Sequence, residues 1–181
     1  IDATMKSAKT VGGDFYDFFL IDENHLGFTI ADVSDKGIPA AIFMAISRTI
    51  LRATALRQLS PAVCLKESNS LLCRESINDM FVTVFYGILN INTGDVVYSN
   101  GGHSRPIMLQ HEGKVSMLPL TGGTALGVIS EANYGEQTIN LGPNDSLFLY
   151  TDGINEAMDA DFKPFGDERL LDTCKRMRGL T

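Results

Sequence analysis

Residues 12–32, GGDFYDFFLIDENHLGFTIAD, are mostly apolar on either side of the polar run Asp22-Glu23-Asn24, a pattern that predicts an antiparallel hairpin turning at Glu23. In that register Leu20 faces Leu26, Phe18 faces Phe28, Tyr16 faces Ile30, and Asp14 faces Asp32. All eight share one face, because side chains alternate along a strand, and the apolar content marks it as a core face. Its open end carries two opposed carboxylates. Such a rung costs stability unless a cation or a proton lies between the acids.

After Gly37 the period becomes helical. In IPAAIFMAISRTILRATALR the positions Ile38, Ile42, Ala45, Thr49 and Ala53 form one stripe, widened by Ile46 and Ile50, with Pro39 in the first turn where proline is tolerated. A second helix is expected with Ser60 as N-cap and Pro61 as its first residue, and with Val63, Leu65, Leu71 and Leu72 apolar. From Phe81 the period of two returns. FVTVFYGILN and DVVYSN flank residues 91–94, PIMLQ and KVSMLPL flank residues 111–113, and GEQTINL and SLFLYTDG flank the turn GPND; each set predicts an antiparallel pair. TGGTALGV is a crossing loop without the Gly-Lys-Ser/Thr ending of a nucleotide phosphate loop. GDERLLDTCKRM closes the pattern as an amphipathic helix. Strands in hairpins with two long helices inserted together predict an α+β layered fold rather than a parallel sheet.

With 181 residues the chain is sized for a single domain, 1–181, with a substantial core. A net charge of −7 argues against nucleic acid as partner and suits a site for divalent cations. No run approaches the roughly 18 uninterrupted apolar residues of a membrane span, and the first residues lack a signal-peptide pattern. Cys64, Cys73 and Cys174 show no CxxC spacing, which argues against a disulfide framework or a zinc site, and a reducing cytoplasm is the expected location.

Asp152 joins the first acid pair as a candidate. In SLFLYTDG, Phe148, Tyr150 and Asp152 share a face, so a third apolar row ends in an acid before a glycine. If the strands belong to facing sheets, Asp14, Asp32 and Asp152 converge, and oxygen-rich clusters of this kind bind Mg²⁺ or Mn²⁺. Aspartates also end strands because they make turns, which is the competing explanation for each acid alone. Asp17 falls on the opposite face and Asp35 in the loop leading to the helix; both are expected to be supporting, helix-capping or solvated acids. His25 and His111 lie at hairpin turns. In NGGHSRP two glycines let the backbone pass close to something and Arg105 is placed to meet a phosphate, although an ordinary turn leading into a strand explains the motif as well. Ser34 and Ser104 lack a His-Asp pattern, and the cysteines read as small core residues.

The motifs VGGDFYD, ADVSDKGIPAA, MFVTVFYG, NGGHSRP, ALGV and YTDGINEA occur in this order across nearly the whole chain. Together they resemble bacterial metal-dependent serine/threonine phosphatases of the stage II sporulation protein E type, within the PPM (protein phosphatase 2C-like) class. The resemblance implies two facing antiparallel sheets flanked by helices, an αββα sandwich, and a binuclear Mn²⁺ or Mg²⁺ centre. Its ligands would be Asp14, Asp32, Asp152 and the backbone carbonyl of Val33. No side chain would be catalytic; a metal-activated water would attack phosphoserine or phosphothreonine. The implied partners are a phosphorylated regulator of the anti-anti-sigma type and an upstream sensory or receiver domain, with room for a dimer and without a membrane segment in this chain. Asp35 stands where many relatives carry glycine. The resemblance also expects a closing strand with a further aspartate in a DDxT-like motif. The 181 residues contain none, which suggests an excised domain lacking its last strand and one ligand.

Two other functions are compatible with the same residues. One is a phosphatase-fold module that binds a phosphoprotein without turnover; retention of all three acids speaks against it, and the expected lack of the last strand leaves it open. A receiver-like phosphoacceptor domain also places acids at strand ends, but it requires alternating parallel βα units, which the hairpins contradict.

Overall fold

The computed structural model describes residues 1–6, 11–57, 59–74 and 79–177. In chain order its elements are β1 (Phe15–Leu20), β2 (His25–Val33), α1 (Ile38–Ala55), α2 (Pro61–Arg74), β3 (Val82–Asn90), β4 (Asp95–Gly101), β5 (Ile107–Leu109), β6 (Val115–Met117), β7 (Gln137–Asn140), β8 (Ser146–Phe148), α3 (Asp152–Asn155) and α4 (Gly166–Met177). They form two antiparallel sheets, of order β1-β2-β3-β4-β7 and β6-β5-β8, so the fold is α+β as the hairpin pattern predicts. The chain divides into two compact units, Ile1–His103 with Thr121–Ile139 and Ser104–Leu120 with Asn140–Thr181.

In the first unit the β1–β2 register is the predicted one: Leu20 pairs with Leu26, Phe18 with Phe28 and Tyr16 with Ile30. Asp22 sets the turn. Its Oδ1 accepts the backbone N–H of Asn24 at 2.8 Å and of His25 at 2.9 Å, and its carboxylate also meets the His25 ring. These bonds, the one from Asn24 foremost, hold the Asp22 carboxyl below the usual carboxylate range.

The buried face of this hairpin is not the one its apolar rungs suggest. Tyr16, Phe18 and Leu20 are exposed, whereas Phe15, Asp17, Phe19, Thr29, Ala31 and Val33 are buried. On the buried face the Phe19 ring lies over its cross-strand partner Gly27, where a Cβ would meet it at 3.1 Å. α1 corrects expectation in the same sense. It buries Ala40, Phe43, Ser47, Leu51, Thr54 and Ala55, while the predicted stripe of Ile38, Ile42, Ala45, Thr49 and Ala53 is exposed. Asp17 decides the roll of this helix. Only 7% exposed, it accepts from Arg48 Nη2 at 3.2 Å and from Arg52 Nη1 at 3.1 Å to each carboxylate oxygen, so it is a buried ion-pair partner rather than a solvated or capping acid. The Arg52 guanidinium also lies 4.8 Å over the Phe19 ring. By length and composition alone α1 would be apolar enough to cross a membrane. Here it covers the sheet.

α2 begins as predicted, with Ser60 Oγ accepting the N–H of Val63 at 3.2 Å. Glu136 strengthens this end by accepting from Ser60 Oγ at 2.7 Å. Leu65 and Leu72 are buried with Cys64, Ser68 and Asn69, while Val63 and Leu71 are exposed. Asn69 holds the glycine-bearing crossing loop: its Oδ1 accepts the Gly127 N–H at 2.9 Å and its Nδ2 donates to the Ile129 carbonyl at 2.8 Å.

The last predicted hairpin does not form. β7 joins the five-stranded sheet and β8 pairs with β5 instead, in the register Ile107–Phe148, so the turn GPND changes sheets. In the second unit α4 lays Leu170 and Cys174 against Ile107 and Tyr150. Cys64 and Cys174 are buried and all three thiols are free. Burial pushes the Cys64 thiol up to about 12.

Two outcomes follow in urea unfolding. Phe43→Ala should cost about 3–5 kcal/mol, as for a buried aromatic, whereas Ile42→Ala should stay within about 0.5 kcal/mol. Asp17→Ala should cost roughly 1–3 kcal/mol, less than a fully buried pair because both arginines are half-exposed. In the native chain at mildly alkaline pH, Cys64 should resist a thiol reagent such as Ellman's until the protein unfolds, because the thiolate fraction is negligible below a pKa of about 12.

Candidate metal centre

The site begins where the β1–β2 hairpin opens. The last paired rung is Phe15–Ala31. Gly13 lies so close to Val33 that a Cβ on it would meet the Val33 Cβ at 2.9 Å and its carbonyl oxygen at 3.1 Å. With Gly13 against Val33, one further rung of the same register would set Asp14 opposite Asp32 on the other face of the sheet. Both acids are half-buried. Three of the four predicted ligands, two carboxylates and the Val33 carbonyl, thus belong to the open end of one hairpin.

The backbone beyond Val33 is held from β3. Ser34 donates its N–H to the Phe81 carbonyl at 2.9 Å and accepts the Phe81 N–H on its hydroxyl at 3.0 Å. Asp35 follows at φ 73°, in the left-handed region, with its own carboxylate accepting the Lys36 N–H at 2.7 Å. That conformation suits glycine best and aspartate better than most residues.

A second layer backs Asp32. Thr83 is its cross-strand partner in β3, and the Thr83 hydroxyl lies 2.8 Å from His103 Nδ1 and 3.4 Å from the Asp32 carbonyl. His103 is buried, and Asn100 clamps its backbone: Oδ1 accepts the His103 N–H at 2.7 Å and Nδ2 donates to the His103 carbonyl at 2.9 Å. Gly102, at φ 75°, permits this close turn. NGGH is thus more than a loop leading into a strand, and its glycines beside a histidine were the signal. Asn100 and Thr83, which carry the arrangement, gave none in the sequence.

Asp152 belongs to the second unit. β8 ends at Phe148, and Asp152 is the exposed first residue of the short helix α3, not the end of a strand. Among the described residues no three His, Cys, Asp or Glu side chains are grouped closely enough to hold a metal ion. The donors that Asp14, Asp32 and Val33 present are nonetheless all hard oxygens, the kind that Mg²⁺ and Mn²⁺ select, so the residues fit such an ion in type. Arg105 is not poised as a phosphate ligand through Nε, which donates to the Leu118 carbonyl at 2.8 Å. His25 pairs with Asp22 and His111 is exposed, so neither approaches the acids.

Gly13→Ala should part the two strand ends and lower Mn²⁺ affinity about tenfold or more by isothermal titration calorimetry, the scale of a disturbed supporting shell. Asp35→Gly should leave stability unchanged or raise it by up to about 1 kcal/mol, whereas Asp35→Val should lower it by roughly 1–2 kcal/mol, both read from thermal unfolding.

The fold has known counterparts. The chain is 30% identical, over 96% of its length, to protein IcfG of Synechocystis sp., of which it covers 31%. It is 28% identical, over 86% of its length, to the phosphoserine phosphatase RsbU of Bacillus subtilis, of which it covers 46%. It thus spans less than half the length of either relative. Among solved structures it superposes with a TM-score of 0.83 on the RsbU and RsbW domains of Rv1364c from Mycobacterium tuberculosis, at 21% identity, covering 96% of this chain and 48% of that one. RsbX in complex with magnesium gives a TM-score of 0.67 at 19% identity, covering 94% of this chain and 82% of that one. A family model described as stage II sporulation protein E matches residues 22–181. With that match spanning most of its length, the chain belongs to the stage II sporulation protein E family of PP2C-like serine phosphatases.

Proposed function

We propose that this chain is the catalytic domain of a metal-dependent protein serine/threonine phosphatase, with Asp14, Asp32, Asp152 and the Val33 carbonyl as ligands of a binuclear Mn²⁺ or Mg²⁺ centre. The observation that carries this is the open end of one hairpin, whose last rung Phe15–Ala31 is flanked directly by Asp14 and Asp32, with the Val33 carbonyl close to Gly13. Like charges directly opposed on a sheet oppose folding, and a divalent cation between them relieves the repulsion. The magnesium-bound RsbX structure and the phosphoserine phosphatase RsbU support the same assignment.

The protein's own part is positioning. β1 and β2 hold the two carboxylates at a fixed separation, and the Ser34–Phe81 bonds fix the peptide that carries the Val33 carbonyl. His103 and Thr83 brace the backbone of Asp32 from the neighbouring strand. When bound, the metal pair supplies a water of lowered pKa and neutralises charge on the phosphoryl oxygens. The high pKa of the buried Cys64 thiol removes it as a rival nucleophile, and Ser34 spends its hydroxyl on the Phe81 N–H. The substrate we assign is a phosphorylated regulator of the anti-anti-sigma type, in the cytoplasm, with the chain acting behind a sensory or receiver module in a longer protein.

A phosphoprotein-binding module without turnover is the second reading, and the lack of a three-group metal cluster among the described residues is what favours it. Hydrolysis of a phosphoserine peptide and of p-nitrophenyl phosphate, with Mn²⁺ and with a chelator, separates the two. Turnover that requires Mn²⁺ and falls by roughly two orders of magnitude or more in Asp14→Asn and in Asp32→Asn is the expected result. Peptide binding without turnover at any Mn²⁺ concentration would replace the enzyme with the binding module.

A further inference from the structure

The layer between the two long helices and the first sheet contains polar groups that its packing does not require. Ser47 of α1 and Ser68 of α2 are both 0% exposed, and Tyr86 of β3 is 2% exposed. Their three hydroxyls have no hydrogen-bond partner among the described residues. A hydroxyl on a helix can turn back to the carbonyl four residues earlier, as Thr49 does to Ala45 at 2.7 Å. Ser47 and Ser68 do not turn to Phe43 and Cys64 in this way. Each interrupts an apolar row, Phe43-Ser47-Leu51 on α1 and Cys64-Ser68-Leu72 on α2, where alanine would pack as closely without a hydroxyl to satisfy.

The three groups belong to one place in the core. α1 ends at Ala55 and α2 begins at Pro61, and so short a connection makes the two helices antiparallel neighbours. The Cys64 thiol gives its one S–H to the Leu51 carbonyl at 3.9 Å, which sets the level of one helix against the other. Ser47 lies one turn back along α1 from that contact and Ser68 one turn on along α2, so the serines face each other at the next level. Tyr86 rises from the sheet beneath them. It shares a core cluster with Phe43, Leu51 and Cys64, and the nearby thiol adds to the rise that burial imposes on its phenol.

We propose that Ser47, Ser68 and Tyr86 hold an internal water site, of about one or two molecules, enclosed between α1, α2 and β3. Burying a hydroxyl without a partner opposes folding, whereas a water bonds several neighbours at once and satisfies them together. The lining sets the class of ligand: hydroxyls that each donate or accept, none of them charged, amid apolar walls suit a small neutral molecule rather than an ion. The site is independent of the phosphatase assignment. Tyr86 pairs with the buried Thr29 and faces the helices, while Asp32 points to the opposite side of the same sheet.

Two measurements on the whole chain test it. Magnetic relaxation dispersion of the solvent counts waters held longer than the protein tumbles, and the native chain should hold about one or two more than Ser47→Ala/Ser68→Ala/Tyr86→Phe. An unchanged count would overturn the proposal. In thermal unfolding Ser68→Ala alone should lower the midpoint by about 2–4 °C, because the water stays buried with one partner fewer. A hydroxyl with no partner, or one turned back to its own helix, gives the opposite sign, since alanine is the better helix former. The loss caused by Ser47→Ala should shrink roughly twofold or more in the Ser68→Ala background, because both substitutions disturb the same water. A raised midpoint, or equal losses in the two backgrounds, would remove the site. The single variants keep the test decisive if the triple one does not fold.

Discussion

The register of the β1–β2 hairpin is the constraint on which the first unit depends. Side chains alternate with a period of two, so a slip of β1 by one residue would turn Asp14 toward the helices and Asp17 away from them, while Asp32, held in β2 by β3, would keep its face. The Asp22 turn and the close contact of Gly13 with Val33 pin the hairpin at its two ends. Between them, one face is dedicated to the helices and the other ends in the acid pair.

The same register positions a buried charge that has no part in metal chemistry. Asp17 meets Arg48 and Arg52 one turn apart on α1, and this bidentate grip fixes how the helix rolls on the sheet. Hydrophobicity alone would not decide that roll, because α1 is apolar nearly all round. The helix turns Phe43, Leu51 and small residues inward to fit the pleated surface, and the isoleucine-rich side is left outward. Structure and surface chemistry are thereby coupled: the ion pair that seats the helix goes with an isoleucine-rich face left exposed.

At the candidate centre, donor groups come from short, rigid backbone rather than from long side chains. Two aspartates and a peptide carbonyl are held by a hairpin, by Ser34 against Phe81, and by a left-handed turn at Asp35. The Asn100–His103–Thr83 chain of bonds supports Asp32 from the next strand. Such preorganisation keeps ligand geometry from relaxing and ties ligand affinity to residues that never touch the ligand.

The first three hairpins, both long helices and the crossing loop were legible in the sequence, because each rests on local information: a period, a turn residue, a cap. Membership of the family was legible for a related reason, since six short motifs keep their order. The sequence did not reveal which face of β1 or of α1 is buried, because both faces are apolar and only close packing through Gly27 and the Asp17 ion pair separates them. It misplaced the last hairpin, because GPND makes the same turn whether its flanking strands pair with each other or with different sheets. It undervalued His103, whose burial depends on Asn100 and Thr83 from separate strands. What the chain determined by itself was where elements begin, end and turn. Which side of each element met the core was decided only by tertiary packing, where volume and buried charge must be satisfied together.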